Sequence, residues 1–188
     1  MIRCFKLGKK ESDIMTKSNT SNIGMRMDSN LKTAADKLHE ELGRKINLVA
    51  LPCLCVDVFD GTDELRAGGE ALNFAAHASK FDEFNVSILG AVGQDSYAKF
   101  IMDSISDKRI DVSHVRIDKD KETANNRTYL TDDGDRYYKD DSWTGDIIDN
   151  MILNHDELEI IKKSDVVFVH FWAGCFGQII DLKKNNNF

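Results

Sequence analysis

The sequence contains no apolar stretch close to the roughly 20 residues that a helix needs to cross a bilayer. Its first ten residues lack the apolar core of a signal peptide. Lysine and arginine form no long cluster, and the formal net charge of -7 argues against nonspecific binding to nucleic acid, whose phosphates attract positive patches. We therefore expect a cytoplasmic protein without a membrane or nucleic-acid partner.

Cysteine is also scarce, with four in 188 residues. Cys53 and Cys55 lie in a segment that we predict to be a strand, where residues two apart point to the same face. A zinc site needs paired Cys-x-x-Cys motifs or nearby histidines, and the five histidines are scattered at no such spacing. The sequence therefore predicts no metal site, and we expect reduced, mostly buried thiols.

The composition, 41% hydrophobic and 30% charged, suffices for one domain with a core. Residues 1–45 differ from the rest, because 17–22 is polar and 31–42 carries apolar residues at helical spacing before Gly43. We expect a polar leader followed by an amphipathic helix. That helix either docks on the domain or on a partner, or is only marginally stable in solution.

After the leader the pattern becomes α/β. Short apolar runs at 46–51 and 86–90 are typical of strands buried on both faces. Helical spacing follows each run, first after the pair Gly68-Gly69 and then over 95–105. Strands that alternate with helices in this way predict a parallel sheet.

The middle of the chain interrupts this order. Segments 112–117 and 128–138 are predicted to be strands of a small antiparallel lid, with a hairpin turn at 131–135. The α/β pattern then resumes in four predicted segments: a helix over 156–163, a buried strand over 165–171, a helical turn from 174 and a polar tail over 183–188.

The most informative motif is the run from Ala67 to Ala75, in which two glycines lead directly into a helix that carries Asn73. Paired glycines let a backbone approach a ligand closely, and the first turn of the helix offers unpaired N–H groups. The motif gains weight from its surroundings, because Asp57 ends an apolar run before it and Gly93-Gln94-Asp95 follows a second run after it.

On these residues the chain resembles the ribokinase-like (PfkB) carbohydrate kinase family, and within it the fructosamine kinases. The likeness covers residues 46–180. It rests on an ordered set of motifs: Gly68-Gly69-x-x-x-Asn73-x-Ala75, Val92-Gly93-x-Asp95, Ile110-Asp111-Val112-Ser113-His114-Val115, and Asp165-Val166-Val167 through Trp172. The resemblance implies an incomplete ribokinase-like α/β fold over 46–182, with a parallel sheet, flanking helices and a small β lid within 112–138.

The resemblance also implies a sugar pocket. In the family the double glycine and its asparagine, here Gly68, Gly69 and Asn73, line the pocket. A carboxylate at the end of the first strand, here Asp57, binds sugar hydroxyls, as suits a strong acceptor. The residues alone favour a plainer interpretation, in which Asp57 caps a turn and Asn73 bonds only to backbone. Some lid residues either face a sugar amine or form a solvated hairpin face: Asn125, Asn126, Arg127, Arg136, Tyr137 and Tyr138.

The chain departs from the family most clearly in one absence. The family's second signature, Asp-Thr-x-Gly-Ala-Gly-Asp, does not occur in the 188 residues. That signature supplies the catalytic base and the anion hole, which phosphoryl transfer needs together, so we assign no catalytic residue in this chain. Other departures fall at Pro52-Cys53-Leu54 and at three positions where the family usually has glycine: Asp82, Ala98 and Arg109.

The family implies ATP and Mg²⁺ as cofactors. The segment 90–93 is not a P-loop, because no Gly-Lys-Ser/Thr follows it, so we do not expect this chain alone to bind ATP. The leading hypothesis is the sugar-binding half of a kinase that phosphorylates a ketosugar amine, inactive without a separate C-terminal half. The alternatives are a noncatalytic sugar-binding module, a module that dimerises through its lid strands, and a truncated remnant without function.

Overall fold

A computed structural model describes the backbone of residues 3–6 and 23–185, and the side chains from Lys32 to Asn185. The polar segment 17–22 and the last three residues of the expected tail lie outside the described residues. No helix in these ranges is both long and apolar enough to cross a membrane.

The main sheet has five strands. Their spatial order is β1 (Arg3–Lys6), β12 (Val166–Val169), β2 (Ile46–Leu51), β5 (Phe84–Ile88) and β7 (Ile110–Asp111). The last four strands are parallel to one another, and β1 runs antiparallel to β12. The parallel sheet expected from the apolar runs is therefore confirmed. Strand β1 was not expected, because it lies in the part of the chain predicted to be a polar leader.

Six helices are described: α1 (Ile23–Leu42), α2 (Glu70–Ala78), α3 (Ser96–Ile105), α4 (Asp146–Asp149), α5 (His155–Lys162) and α6 (Phe176–Asn185). Helix α2 packs on β2 and β5, and α1, in which Ala35 is buried, contacts β2. Helix α1 ends at Gly43, whose φ of 64° is a left-handed conformation that favours glycine. The helix expected over 31–42 is thus present and docked on the domain.

A second sheet forms the lid. Its order is β10 (Arg136–Tyr137), β9 (Asn125–Leu130), β3 (Cys55–Phe59) and β4 (Leu65–Gly68), and β11 (Trp143–Thr144) also pairs with β9. Strands β3 and β9 are parallel, and the other pairs are antiparallel. The β9–β10 hairpin and its turn agree with the sequence. The lid as a whole extends beyond 112–138, since β3 and β4 belong to it.

Three sequence-based assignments are wrong in detail. Cys53 and Leu54 lie between strands, and only Cys55 belongs to β3. Segment 112–117 is not an antiparallel lid strand, because β7 extends the main sheet and β8 (Val115–Asp118) pairs in parallel with β6 (Gly90–Gly93). Residues 183–185 belong to α6 rather than to a polar tail. In each case the partner strand or the packing surface lies far away in the sequence, so local composition carries no signal for it.

Hydrogen bonds to Asp165 link the main sheet to the loop after α1. Its carboxylate accepts hydrogen bonds from Arg44 Nη1 and Nη2 at 2.7 and 2.8 Å and from the Asn47 backbone N–H at 2.8 Å. Burial alone would raise the pKa of Asp165, but the bonds from Arg44 and Asn47 hold it below the usual value.

Asp165→Asn is expected to lower the free energy of unfolding by about 1–3 kcal/mol at pH 7, because it breaks charged hydrogen bonds. A carboxyl whose pKa is depressed by folding stabilises the protein above its unfolded pKa, and this stabilisation is lost as the pH falls through the folded pKa. Urea denaturation at pH 7 and in acid measures both effects. If the parent chain and Asp165→Asn still differ by the same free energy of unfolding below the folded pKa, the account is contradicted. Asp133→Asn, in the exposed hairpin turn, is the control and should leave the free energy of unfolding unchanged.

Candidate functional site

The glycine pair begins α2 by passing very close to another backbone segment. Gly69 has a φ of 100°, and a Cβ at this position would clash with the Cys53 carbonyl oxygen and lie 2.8 Å from its carbonyl carbon. The same carbonyl oxygen accepts a hydrogen bond from Leu72 N–H at 3.3 Å. Gly69 therefore satisfies both the backbone angle and the close approach, and it fixes the start of α2 against the segment that leads into β3.

Asp57 lies in the middle of β3, in the lid sheet, rather than at the end of the first strand as expected from the resemblance. In the β3–β4 pair, Cys55 is opposite Gly68 and Asp57 is opposite Arg66. A Cβ on Gly68 would lie 3.7 Å from Asp57 Oδ2, at ordinary van der Waals distance. The structure thus brings together two of the predicted site residues, Asp57 and Gly68, and Gly69 follows directly.

The register between β3 and β9 decides which lid residues share a face with Asp57. Asp57 is paired with Asn126, so the two side chains point to the same side of the sheet. Asn125 and Arg127 point to the opposite side, where Arg127 Nη1 binds Asp60 Oδ1 at 3.0 Å. Of the lid residues suggested by the sequence, Asn126 therefore joins Asp57, whereas Asn125 and Arg127 do not.

Arg136 reaches the Asp57 side from β10. Its Nη1 lies 3.6 Å from Asp57 Oδ2, and its guanidinium sits 5.2 Å from the centre of the Phe59 ring. Arg66 approaches the same ring at 4.8 Å. Two cationic groups thus flank Asp57, and stacking on Phe59 holds both in place.

The polar groups on this face are incompletely satisfied. The Asp57 side chain is 21% exposed, and no hydrogen-bond donor within the described ranges reaches its carboxylate. Burial raises the pKa of Asp57, although Arg136 and Arg66 act to lower it. The buried Oδ1 of Asn126 likewise has no hydrogen-bond partner among the described residues. Adjacent acceptors without donors are what a ligand with several hydroxyl groups would satisfy.

Asn73 lies on α2, one turn after Gly69. Its backbone N–H donates to the Gly69 carbonyl oxygen at 2.9 Å, and its side chain is exposed. No contact with Asp57 is found for Asn73 within the described part of the chain. The structure therefore places Asn73 beside the glycine turn, in the first turn of α2 and exposed to solvent.

Two ionisable residues at this edge were not singled out from the sequence. His170 follows β12 at the carboxyl end of the main sheet, and its Nε2 lies 3.1 Å from Glu70 Oε1, in the first turn of α2. Burial lowers the pKa of His170, although Glu70 acts to raise it. The signal available in the sequence was the position of His170, because ligands of α/β proteins bind at the carboxyl ends of parallel strands.

Asp95, in contrast, has a structural role. Its carboxylate accepts hydrogen bonds from Ala98 N–H at 2.9 Å and from Thr123 N–H and Oγ1 at 2.8 Å each. Burial would raise the pKa of Asp95, but these bonds keep it below the usual value. A Cβ on Gly93 would lie 2.6 Å from Asp95 Oδ2, so the Gly93-x-Asp95 turn serves to hold Thr123 and the start of β9 in place.

The described cysteines are free thiols. Cys53, Cys55 and Cys175 are buried, as expected, while the side chain of Cys4 is outside the described part. A hydrogen bond with Cys55, burial and the nearby Glu70 all raise the pKa of Cys53. Nowhere in the ranges given above do three or more His, Cys, Asp or Glu side chains converge so that they could hold a metal ion.

Known carbohydrate kinases match the part of the chain that contains these residues. Residues 57–139, which contain Asp57, the glycine pair and the lid hairpin, match the model of the pfkB family carbohydrate kinases. Fructoselysine 6-kinase of Escherichia coli (strain K12) is 25% identical over 119 residues, which are 63% of this chain and 44% of that protein. Fructoselysine 6-kinase of Shigella flexneri gives the same values.

A solved structure shows the same fold. Arabidopsis thaliana ribokinase, complexed with ribose and ATP, superposes with a TM-score of 0.50 at 21% identity, over 64% of this chain and 43% of that one. The chain thus spans less than half the length of the relatives that it matches. The resemblance to the ribokinase-like (PfkB) carbohydrate kinases and the ribokinase-like α/β fold are confirmed for this part of the chain.

Gly69→Ala is expected to lower the free energy of unfolding by at least about 3 kcal/mol, because a Cβ there combines backbone strain with a backbone clash. Gly134→Ala is the matched control. Gly134 also has a positive φ, 84°, but a Cβ would meet nothing within 4 Å, so only the strain of about 1–2 kcal/mol remains. Chemical denaturation measures the free energy of unfolding of both variants. Equal losses of stability would contradict the close approach of Gly69 to the Cys53 carbonyl group.

Proposed function

We propose that this chain provides the sugar-binding part of a carbohydrate kinase whose substrate is a ketose amine of the fructosamine type and whose phosphoryl donor is ATP. The observation that carries the proposal is the pairing of Asp57 with Asn126 beside Gly68. Both side chains present acceptor oxygens that lack donors within the described part of the chain. Asn73 is assigned to the rim of the same pocket and Gly69 to its base.

The chemistry of this face suits a sugar. A carboxylate and an amide can accept hydrogen bonds from neighbouring hydroxyl groups, and Asn126 can also donate through its amide nitrogen. Arg66 and Arg136 supply donors to ring or hydroxyl oxygens from the two flanking strands. Gly68 leaves room for a ring to approach the Asp57 carboxylate. Holding the sugar in one orientation is the contribution that these residues make to phosphoryl transfer.

The residues of this chain do not fit ATP and Mg²⁺. The sequence has no P-loop, and within the described ranges no cluster of acidic side chains could hold a metal ion. The base and the anion hole that phosphoryl transfer requires are also absent from the 188 residues. In the proposed enzyme these groups come from residues outside this sequence, in the same polypeptide or in another.

The fructosamine class is supported by the relatives rather than by the geometry of Asp57. Both curated relatives are fructoselysine 6-kinases, at 25% identity. The second candidate function, a sugar-binding module that pairs with another copy through the lid, is favoured by one observation. Strand β4 is an edge strand of the lid sheet, paired only with β3 in the described structure.

Asp57→Asn is expected to raise the dissociation constant for a ketose about 10- to 100-fold, because it removes a charged acceptor from the sugar hydroxyls. Isothermal titration of the chain with fructose measures the effect, and Asp60→Asn is the matched control on the other side of the lid. Since burial raises the pKa of Asp57, the variant should be no less stable than the parent chain. An unchanged dissociation constant for fructose in Asp57→Asn would contradict the proposed pocket.

The chain alone is expected to form no ADP from ATP in the presence of a ketose amine, because it lacks the base and the anion hole. A coupled assay of ADP formation measures this over the background rate of ATP hydrolysis. Sugar-dependent ATP turnover by the purified 188-residue chain contradicts the claim that residues outside this sequence complete the active site.

A further inference from the structure

Glu70 is a carboxylate with no lysine or arginine partner among the described side chains. Several acidic side chains of the domain contact lysine or arginine, as Glu159 does with Lys162 at 2.6 Å and Asp146 with Lys121 at 2.7 Å. The charged-group contact of Glu70 in the described structure is with His170, and its side chain is 41% exposed. A ligand can therefore reach Glu70 from solvent.

His170 does not neutralise Glu70. Its imidazole is buried, and burial lowers its pKa below the ordinary value of 6.5, so the ring is uncharged at neutral pH. Its Nε2 donates to Glu70, which leaves Nδ1 as a buried acceptor without a partner among the described side chains. The pair thus keeps one net negative charge and one unused acceptor at the edge of the sheet.

Two exposed aromatic rings border the same pair. Trp172 is 66% exposed and Phe171 is 52% exposed, although large apolar side chains usually avoid solvent. The Trp172 ring centre lies 4.4 Å from that of His170 and 5.3 Å from that of Phe171. Faces of aromatic rings next to a carboxylate form a favourable environment for an ammonium group.

The distance between Glu70 and Asp57 limits the size of a ligand that could contact both. Gly68 adjoins Asp57, and Glu70 is two residues further along the chain. The Cα atoms of Gly68 and Glu70 are therefore at most about 7 Å apart. One small molecule can therefore contact both places, with its hydroxyl groups at Asp57 and a group a few bonds away at Glu70.

From this arrangement we infer a specificity subsite: Glu70, held by His170, and the ring of Trp172 bind the ammonium group of an amine-bearing ketose. The inference rests on the proposed sugar pocket and adds to it the residues that distinguish an amino sugar from a neutral one. Glu70 supplies the charge, Trp172 supplies the ring face, and His170 is a positioning residue that orients the Glu70 carboxylate.

The test uses two ligands that differ by one amine, fructose and 1-amino-1-deoxyfructose, titrated calorimetrically against the chain. The parent chain is expected to bind the amine at least about tenfold more tightly. Glu70→Gln should abolish this preference while leaving the affinity for fructose within about twofold, and Trp172→Leu should reduce the preference severalfold. Glu40→Gln, on the exposed face of α1, is the control and should change neither affinity.

Fluorescence gives a second readout. The chain has two tryptophans, so Trp143→Phe leaves Trp172 as the only one. Its emission should change on titration with the amine and much less with fructose.

Three outcomes overturn the inference. Equal affinity for the two ligands in the parent chain, or an unchanged preference in Glu70→Gln, excludes the subsite while leaving the sugar pocket intact. Binding of neither ligand by the folded parent chain excludes the pocket and the subsite together. Circular dichroism and thermal melting confirm that each variant is folded before it is compared.

Discussion

The close contact between the backbone at Gly69 and the carbonyl group of Cys53 is the constraint on which the candidate site depends. It fixes the first turn of α2 against the segment that enters β3, and only glycine has both the φ of 100° and the space that this requires. Because β3 then pairs with β4, Asp57 comes to lie beside Gly68. The same contact places Glu70 at the edge of the main sheet, within reach of His170 after β12.

Three partly buried carboxylates of the domain, Asp57, Asp95 and Asp165, differ in whether hydrogen-bond donors surround them. Asp95 and Asp165 are surrounded by donors, their pKa values are lowered, and both join distant segments. Asp57 is half-buried, has no such donors among the described residues, and its pKa is raised. Burying an unsatisfied carboxylate costs stability, and proteins keep such groups chiefly where a ligand supplies the missing partners. This contrast, more than any motif, supports the proposal that Asp57 belongs to a binding site.

Much of the fold could be predicted from the sequence, because the runs at β2, β5 and β12 are apolar and alternate with amphipathic helices. The glycine pair could be selected from its local pattern, whereas Asp57 was selected only through the resemblance to the family, since the residues alone favour a turn cap. The sequence could not choose among Asn125, Asn126 and Arg127, because only the register of β9 against β3 decides which side chain faces Asp57. It could not reveal the Glu70–His170 pair either, since 100 residues separate two side chains that meet only after the sheet has formed.

The central claim is that Asp57 is held without donors until a sugar supplies them. NMR titration of the Asp57 carboxyl carbon in the 188-residue chain, with and without a saturating ketose, tests this directly. The account predicts a pKa above the ordinary value of 3.8 in the free chain and a lower pKa when the sugar is bound, since hydroxyl donors favour the charged form. A pKa at or below 3.8 in the free chain, or no change on sugar binding, would contradict it.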